Sequence, residues 1–146
     1  MITLQFPAHP FTIKEEEGRR FIFDNFRKKY VQLTPEEWVR QNILVYLTHV
    51  LNYPKGLIAV EREIKINGLK KRYDIVVYSR DQKPWMLAEL KSPEINLSQS
   101  TVEQIMRYHQ ILQTPYWLLS NGQQTFCAAI TNHSVNWLIS LPAFEQ

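Results

Sequence analysis

Hydrophobic and polar positions follow a helical spacing in one long stretch of the first half of the chain. Thr34-Pro35-Glu36-Glu37 has the features of a helix start, with Thr as N-cap, Pro at the first position and Glu three residues after the cap. The apolar positions behind it form one broad stripe: Trp38, Ile43, Leu44, Val45, Leu47, Val50 and Leu51. The pattern predicts a helix from Thr34 to about Leu51 that packs on a sheet.

Alternating apolar residues then predict three consecutive strands. The first runs from Leu57 to Ile66 and ends at Asn67-Gly68, a pair typical of hairpin turns. The return strand spans Arg72 to Tyr78, and the third spans Trp85 to Lys91 before Ser92-Pro93 ends it. These segments predict a three-stranded meander.

A second helix and three more strands follow from the remaining pattern. Apolar positions at helical spacing predict a helix from about Ser100 to Leu112, ended by Pro115. Tyr116 to Ser120 is continuously apolar, which is typical of a buried parallel strand. Thr125 to Thr131 and Val135 to Leu141 predict a final hairpin. The order αβββαβ predicts an α/β fold, with a mixed central sheet flanked by helices and a C-terminal hairpin.

In the first 33 residues, neither the helical nor the alternating pattern of apolar positions persists for long. Their many aromatic side chains argue against disorder, so we expect an extended arm that packs on the domain. The whole chain of 146 residues, 45% hydrophobic, has the size and composition of a single domain. We therefore expect one domain over 1–146, with an arm over 1–33, a core over 34–122 and C-terminal strands over 123–146.

Charge and cysteine content add little. The net charge of +3 is weak evidence for a polyanionic partner, and Arg27-Lys28-Lys29 and Lys70-Lys71-Arg72 either follow a phosphate backbone or form solvated surface. Arg40 and Arg107, on the two predicted helices, are further candidate phosphate contacts. Cys127, the single cysteine, lies in an apolar run and has no partner for an internal disulfide. Without a signal-peptide pattern or a membrane-length apolar segment, a cytoplasmic protein with no membrane contact is expected.

Three ionisable residues interrupt the strands of the predicted meander. Asp74 lies inside the second strand, and Glu89 and Lys91 lie two residues apart in the third, so that alternation places the latter two on one face with Asp74 beside them. The two carboxylates and the carbonyl of Leu90, the residue between Glu89 and Lys91, would bind Mg²⁺ or Mn²⁺, and the lysine would orient or deprotonate a water for phosphodiester hydrolysis. The same residues would equally suit a network that only pairs charges.

With these residues in place, the chain resembles the PD-(D/E)XK nuclease superfamily. Asp74 stands for its acidic residue on the second core strand and Glu89-Leu90-Lys91 for (D/E)-X-K on the third. More narrowly, the run from Thr34 to Gly122 is similar to the nuclease domain at the N-terminus of type I restriction enzyme R subunits. The resemblance implies restriction-modification and an endonuclease or other DNA hydrolase. Tyr73 departs from the family name, which has Pro before the aspartate.

The resemblance also suggests further site residues. Gln104 and Tyr108, one helical turn apart, look like the family's Q-x₃-Y element, which would position Lys91 or contact phosphate. The family's first helix often contributes a Glu to the metal site, which makes Glu37 a candidate ahead of Glu36, although the capping box explains Glu37 equally well. An ordinary half-exposed helix edge would explain Gln104 and Tyr108.

Other chemistries find no support in the chain. None of the four glycines, Gly18, Gly56, Gly68 and Gly122, begins a G-x₄-G-K-[ST] phosphate loop, so a nuclease-like domain standing alone without a motor is expected. The four histidines are scattered and lack a cysteine pair, which disfavours structural zinc. No G-x-S-x-G elbow supports acyl hydrolysis.

Two functional hypotheses remain. The first is a metal-dependent deoxyribonuclease whose specificity or motor comes from a protein partner. The second is a catalytically inactive module of the same fold that binds nucleic acid or protein, and both are compatible with DNA or RNA, with endo- or exonucleolytic cleavage, and with any oligomeric state. A purely structural domain would leave Asp74, Glu89 and Lys91 without a role. The presence of all three residues favours the nuclease, whereas the modest net charge and the lack of a motor favour the binding module.

Overall fold

The computed structural model of the protein describes residues 1–66, 68–109, 114–132 and 134–144. Within these ranges it describes every side chain except those of Ile66, Leu69, Thr101, Ile105, Arg107, Tyr108 and His109. Two sheets are present, a small N-terminal sheet of three strands and a main sheet of six. No helix in the described ranges has the length and apolarity needed to cross a membrane.

The N-terminal sheet is an antiparallel meander of β1 (Ile13–Glu16), β2 (Arg19–Asp24) and β3 (Lys29–Gln32). This corrects the expectation of an extended arm. The strands are only four to six residues long and rich in charged residues, so no alternation persists in the sequence. Asp24 stabilises the second turn, because its carboxylate accepts the N–H groups of Phe26 and Arg27.

Helix α1 (Pro35–Val45) begins as predicted, with the Thr34 hydroxyl accepting the Glu37 N–H at 3.1 Å. It continues into a π-helical turn at Tyr46–Val50, close to the predicted end. Trp38 differs from the expected apolar stripe. It is exposed, and its ring contacts Phe11 in the N-terminal segment instead of the main sheet.

The main sheet confirms the predicted mixed architecture. Its strands, in spatial and chain order, are β4 (Ile58–Ile66), β5 (Leu69–Tyr78), β6 (Pro84–Leu90), β7 (Tyr116–Ser120), β8 (Thr125–Thr131) and β9 (Ser134–Trp137). β6 and β7 are parallel and the other pairs antiparallel. β9 ends four residues before the predicted Leu141. Helix α2 (Gln99–His109) makes the crossover from β6 to β7. The sequence predicted that this helix extends to Leu112, and residues 110–112 lie outside the described ranges.

Two apolar layers cover the faces of the main sheet. On one face Ile43 and Leu44 of α1 and Leu47 of the π-helical turn pack in a cluster with residues of β6, namely Met86, Ala88 and Leu90. On the other face Val102 and Met106 of α2 share a cluster with Tyr73, Leu87 and Trp117. The clusters therefore define an α1 face and an α2 face, and they show on which face each residue of β6 lies.

Candidate functional site

The predicted site lies where β5 and β6 stop pairing, a point that we call the fork. The ladder between the two strands ends at Ile75 and Ala88, so Asp74 and Glu89 are the next residues beyond it. The Asp74 Oδ2 atom accepts the backbone N–H of Leu90 at 2.7 Å. The aspartate side chain thus takes a strand N–H that a backbone carbonyl would otherwise bind, and it lies between the two strands.

Asp74 is also held from the α1 face. Its Oδ1 atom accepts a hydrogen bond from Arg40 Nη2 at 3.1 Å. Burial raises the pKa of Asp74 above its ordinary value, and the nearby Glu89 carboxylate acts in the same direction. The Leu90 N–H, Arg40 and Lys91 oppose this shift without cancelling it. The Asp74 carboxylate is therefore costly to ionise in the folded protein.

Glu89 is reached from the α2 face. Its neighbours Ala88 and Leu90 pack in the α1 cluster, so strand alternation points Glu89 the other way. Its Oε1 atom pairs with Lys71 Nζ at 2.5 Å, and this ammonium also lies 5.4 Å from the centre of the Tyr73 ring, a member of the α2 cluster. We expected Asp74 to lie beside Glu89 and Lys91 on one face. Instead Asp74 is bound from the α1 face while Glu89 points to the α2 face, although the Glu89 carboxylate is near enough to act on the pKa of Asp74.

Lys91 follows directly after β6. Its backbone N–H donates to the Ser120 carbonyl at 2.9 Å, which anchors the residue at the end of β7. Within the described part of the chain, no carboxylate lies within ion-pair distance of the half-buried ammonium. Its charge nevertheless opposes the rise in the pKa of Asp74 and of Glu36. Lys91 is therefore positioned beside the acidic residues without being paired to one.

Glu36, which the sequence ranked below Glu37, lies close to the fork. Burial raises its pKa, with Asp74 as the next cause, so the first turn of α1 brings this carboxylate close to the fork. The capping signature could have suggested it, because the first helical turn is the part of α1 that approaches the strand ends. Its neighbour Glu37, ranked first, takes a different position.

Glu37 is buried at the centre of a set of ion pairs. Its Oε1 atom accepts from Arg40 at 3.1 Å, and its Oε2 atom accepts from Arg27 at 2.8 Å and from Gln41 at 3.0 Å. Glu37, Arg40 and Gln41 lie one turn apart on α1, a spacing visible in the sequence. The Glu37 carboxylate is thus bound by basic and amide side chains, which accounts for its burial.

A second carboxylate closes these contacts into a ring. Glu61 of β4 pairs with Arg27 at 3.5 Å and with Arg40 at 3.4 Å, so two arginines and two glutamates alternate around what we call the arginine ring. Glu61 has a φ of +52° in the middle of a strand, and the β4–β5 register skips it together with Asp74. This strained backbone turns Glu61 toward the ring.

The arginine ring corrects two expectations about phosphate contacts. Arg27 was grouped with Lys28 and Lys29 as a basic surface, yet it is bound to Asp24, Glu37 and Glu61. Arg40, a candidate contact on a flanking helix, is buried and bound to Asp74 at the edge of the fork. The local sequence shows only the spacing of Glu37 and Arg40, because the members of the ring come from three separate segments of the chain.

The Q-x₃-Y element stays a prediction. Gln104 is exposed on α2, and the side chain of Tyr108, like that of Arg107, lies outside the described residues. Two of the scattered histidines do meet, since the rings of His9 and His49 are 5.3 Å apart beside a cavity of about 280 Å³ next to α1.

The donors at the fork suit a hard divalent cation in their chemistry. Asp74, Glu89 and the Leu90 carbonyl would offer oxygen ligands, the type that Mg²⁺ and Mn²⁺ prefer. However, Arg40 binds the Asp74 carboxylate and Lys71 binds the Glu89 carboxylate. Among the described residues no group of three or more His, Cys, Asp or Glu side chains is arranged to hold a metal ion. The ligands fit in type, and each of the two carboxylates is contacted by a basic side chain.

The comparison with protein families agrees with this geometry. The sequence profile described as the type I restriction enzyme R protein N terminus matches residues 35–142, from the start of α1 past the end of β9. A comparison with curated protein sequences found no significant match. The chain therefore belongs to the family of type I restriction enzyme R protein N-terminal domains, whose known fold is that of the PD-(D/E)XK nucleases.

Proposed function

We propose that this chain is a divalent-metal-dependent nuclease domain that hydrolyses DNA phosphodiesters at the fork. The observation that carries the proposal is the position of Asp74, bound to the Leu90 N–H between two diverging strands and close enough to Glu89 and Lys91 for both to act on its pKa. Family membership supports a nuclease-like role for this arrangement.

Each residue at the fork has a proposed role. Asp74, Glu89 and the Leu90 carbonyl would hold the cation, and Lys91 would orient the attacking water or bind the phosphate. When bound, Mg²⁺ or Mn²⁺ neutralises phosphate charge and lowers the pKa of a coordinated water. The Leu90 N–H fixes the direction of the Asp74 carboxylate, and the Ser120 contact fixes the Lys91 backbone. Gln104 and Tyr108 are proposed to contact the substrate from α2.

Partners follow from the same proposal. In a restriction system, sequence specificity and ATP-driven movement would come from other subunits or segments, because these 146 residues contain no phosphate-binding loop. Action on DNA would place the protein in the cytoplasm. The active unit would thus be an assembly in which this domain supplies cleavage.

The direct test is a cleavage assay on supercoiled plasmid, linear duplex, single-stranded DNA and RNA with Mg²⁺ or Mn²⁺. Asp74→Asn and Glu89→Gln should each reduce the cleavage rate by at least about 100-fold, since each removes a ligand charge. Asp81→Asn, in the exposed turn between β5 and β6, is the matched carboxylate control and should cleave normally. Equal cleavage by the wild type and both site variants, with folding verified by circular dichroism, would refute the proposal.

A catalytically inactive binding module is the second candidate. It is favoured by one observation, that a basic side chain holds each of the two carboxylates at the fork. Such a protein would bind DNA equally well in chelator and in Mg²⁺ and would show no cleavage under any condition. Detection of a Mn²⁺ site that Asp74→Asn removes would favour the nuclease.

A further inference from the structure

Arg40 lies at the junction between the arginine ring and the fork. Its Nη2 atom donates to Asp74, and its Nη1 atom contacts both Glu37 at 3.1 Å and Glu61 at 3.4 Å. The side chain is only 6% exposed, and within the described part of the chain its buried Nε atom has no hydrogen-bond partner. A buried guanidinium with one vacant donor and three carboxylate partners can exchange one contact for another.

We propose that Arg40 is the resident counter-ion of Asp74 and that a divalent cation must displace it to bind there. This inference rests on the proposed metal site and extends it by naming the group that sets its affinity. Arg40 is a positioning residue in this scheme, since it acts on the cation through Asp74.

The charge distribution supports the exchange. The arginine ring together with its two end carboxylates, Asp24 and Asp74, holds four negative and two positive side chains. A divalent cation on Asp74 would balance this excess, but it would repel a guanidinium that stayed on the same carboxylate. Arg40 can leave Asp74 and keep two partners, because Glu37 and Glu61 remain bound to Nη1.

Arg27 provides the matched control. It binds the same two glutamates of the arginine ring and ends on Asp24, whereas Arg40 ends on Asp74. Substitution by Gln removes the ion pairs of either arginine, but only Arg40 contacts the fork, through Asp74. A general effect of weakening the ring would appear in both variants, while competition at Asp74 would appear in Arg40→Gln alone.

The experiment is calorimetric titration of Mn²⁺ into the metal-free protein, with thermal melts in chelator. Arg40→Gln should bind Mn²⁺ about tenfold more tightly than wild type or better, on the scale by which one adjacent charge changes ion affinity at a carboxylate. Arg27→Gln should stay within about twofold, as expected for a site without a shared contact at Asp74. Both variants should melt earlier than wild type in chelator.

Each outcome decides the proposal. Wild-type binding that Asp74→Asn removes, together with unchanged or weaker binding by Arg40→Gln, would overturn the inference and leave the proposed function intact. An equal gain in both arginine variants would assign the effect to the ring as a whole and reject Arg40. Absence of Mn²⁺ binding in every variant would overturn both proposals. If Arg40→Gln does not fold, Arg40→Gln/Glu61→Gln removes one charge of each sign and should show the same gain.

Discussion

Two aspartates contact the arginine ring, Asp24 through Arg27 and Asp74 through Arg40, and their pKa values shift in opposite directions. Burial alone would raise the pKa of Asp24, but hydrogen bonds from the Arg27 backbone and guanidinium and from the Phe26 N–H outweigh it and lower the pKa below 3.8. For Asp74 burial prevails, and the pKa is raised above 3.8. The same residue type therefore stabilises the fold at one site and opposes it at the other.

This difference predicts opposite effects of one substitution. Asp24→Asn should lower the unfolding free energy at pH 7 by about 2 kcal/mol, because charge-assisted hydrogen bonds to a buried carboxylate are lost. Asp74→Asn should raise it, since the ionised form is disfavoured in the folded protein. Denaturant unfolding of both variants and the wild type between pH 3 and pH 7 measures these differences.

The pH dependence follows from the directions of the shifts. The contribution of Asp24 to the unfolding free energy is present above pH 3.8 and is lost as the pH falls through its lowered folded-state pKa. The Asp24→Asn variant should therefore approach wild-type stability in acid. The contribution of the protonated Asp74 to the unfolding free energy is complete below pH 3.8 and is lost as the pH rises through its raised folded-state pKa. Two variants that change stability in the same direction at pH 7 would contradict this account.

At the scale of elements, the turn after β7 connects strand geometry to helix packing. Gly122 has a φ of +91°, and a Cβ atom placed on it would lie 3.2 Å from a methyl carbon of Val39 on α1. Its N–H donates to the Ser120 hydroxyl at 3.0 Å, so the turn is held in place. A side chain there meets both an unfavourable backbone conformation and a packed helix.

A series of Gly→Ala substitutions separates the cost of the backbone strain from the cost of the contact with Val39. Gly122→Ala should destabilise the protein by about 2 kcal/mol, and Gly18→Ala, with a similar positive φ and open space around it, by about 1 kcal/mol. Gly56→Ala should be close to neutral, because neither strain nor a neighbour opposes it. Urea unfolding gives the three values. Equal costs for Gly122→Ala and Gly18→Ala would show that α1 shifts away from the turn at no cost.

At the scale of the whole molecule, the modest charge of +3 limits any contact with a phosphate backbone. The three basic residues before Asp74 are not equivalent. Lys71 pairs with Glu89, whereas the contact of Lys70 with Glu63 at 3.6 Å is exposed, and Arg72 is exposed as well. Surface pairs of this kind are weak, so Lys70 and Arg72 are available to phosphate.

We therefore predict weak, sequence-independent and salt-sensitive DNA binding in which Lys70 and Arg72 take part. Lys70→Ala/Arg72→Ala should reduce the slope of log affinity against log salt by about 2. Lys14→Ala/Arg19→Ala, on the N-terminal sheet, removes the same charge and should leave the slope nearly unchanged. Fluorescence anisotropy at several salt concentrations, with Ca²⁺ in place of Mg²⁺, measures both. Equal slopes for the two double variants would assign the effect to net charge.

The sequence by itself determined the main elements and their order. The cap at Thr34, the alternation in β4 to β6 and the apolar run of β7 depend on neighbouring residues, and the structure confirms the mixed sheet that they predict. The family resemblance followed from the same segments and is confirmed over residues 35–142. Local interactions are sufficient for these features, because period and capping express the geometry of single elements.

Only the tertiary structure decided how the ionisable residues are paired. The N-terminal sheet, the positive φ of Glu61 and the arginine ring depend on contacts between segments far apart in the chain, for which a local pattern carries no signal. Alternation predicts the face of a strand residue, but it cannot predict that β5 and β6 separate at Asp74, where contacts across the sheet replace the ladder. The partner of a buried charge is chosen by folding as a whole, since its desolvation must be offset wherever an opposite charge comes to lie.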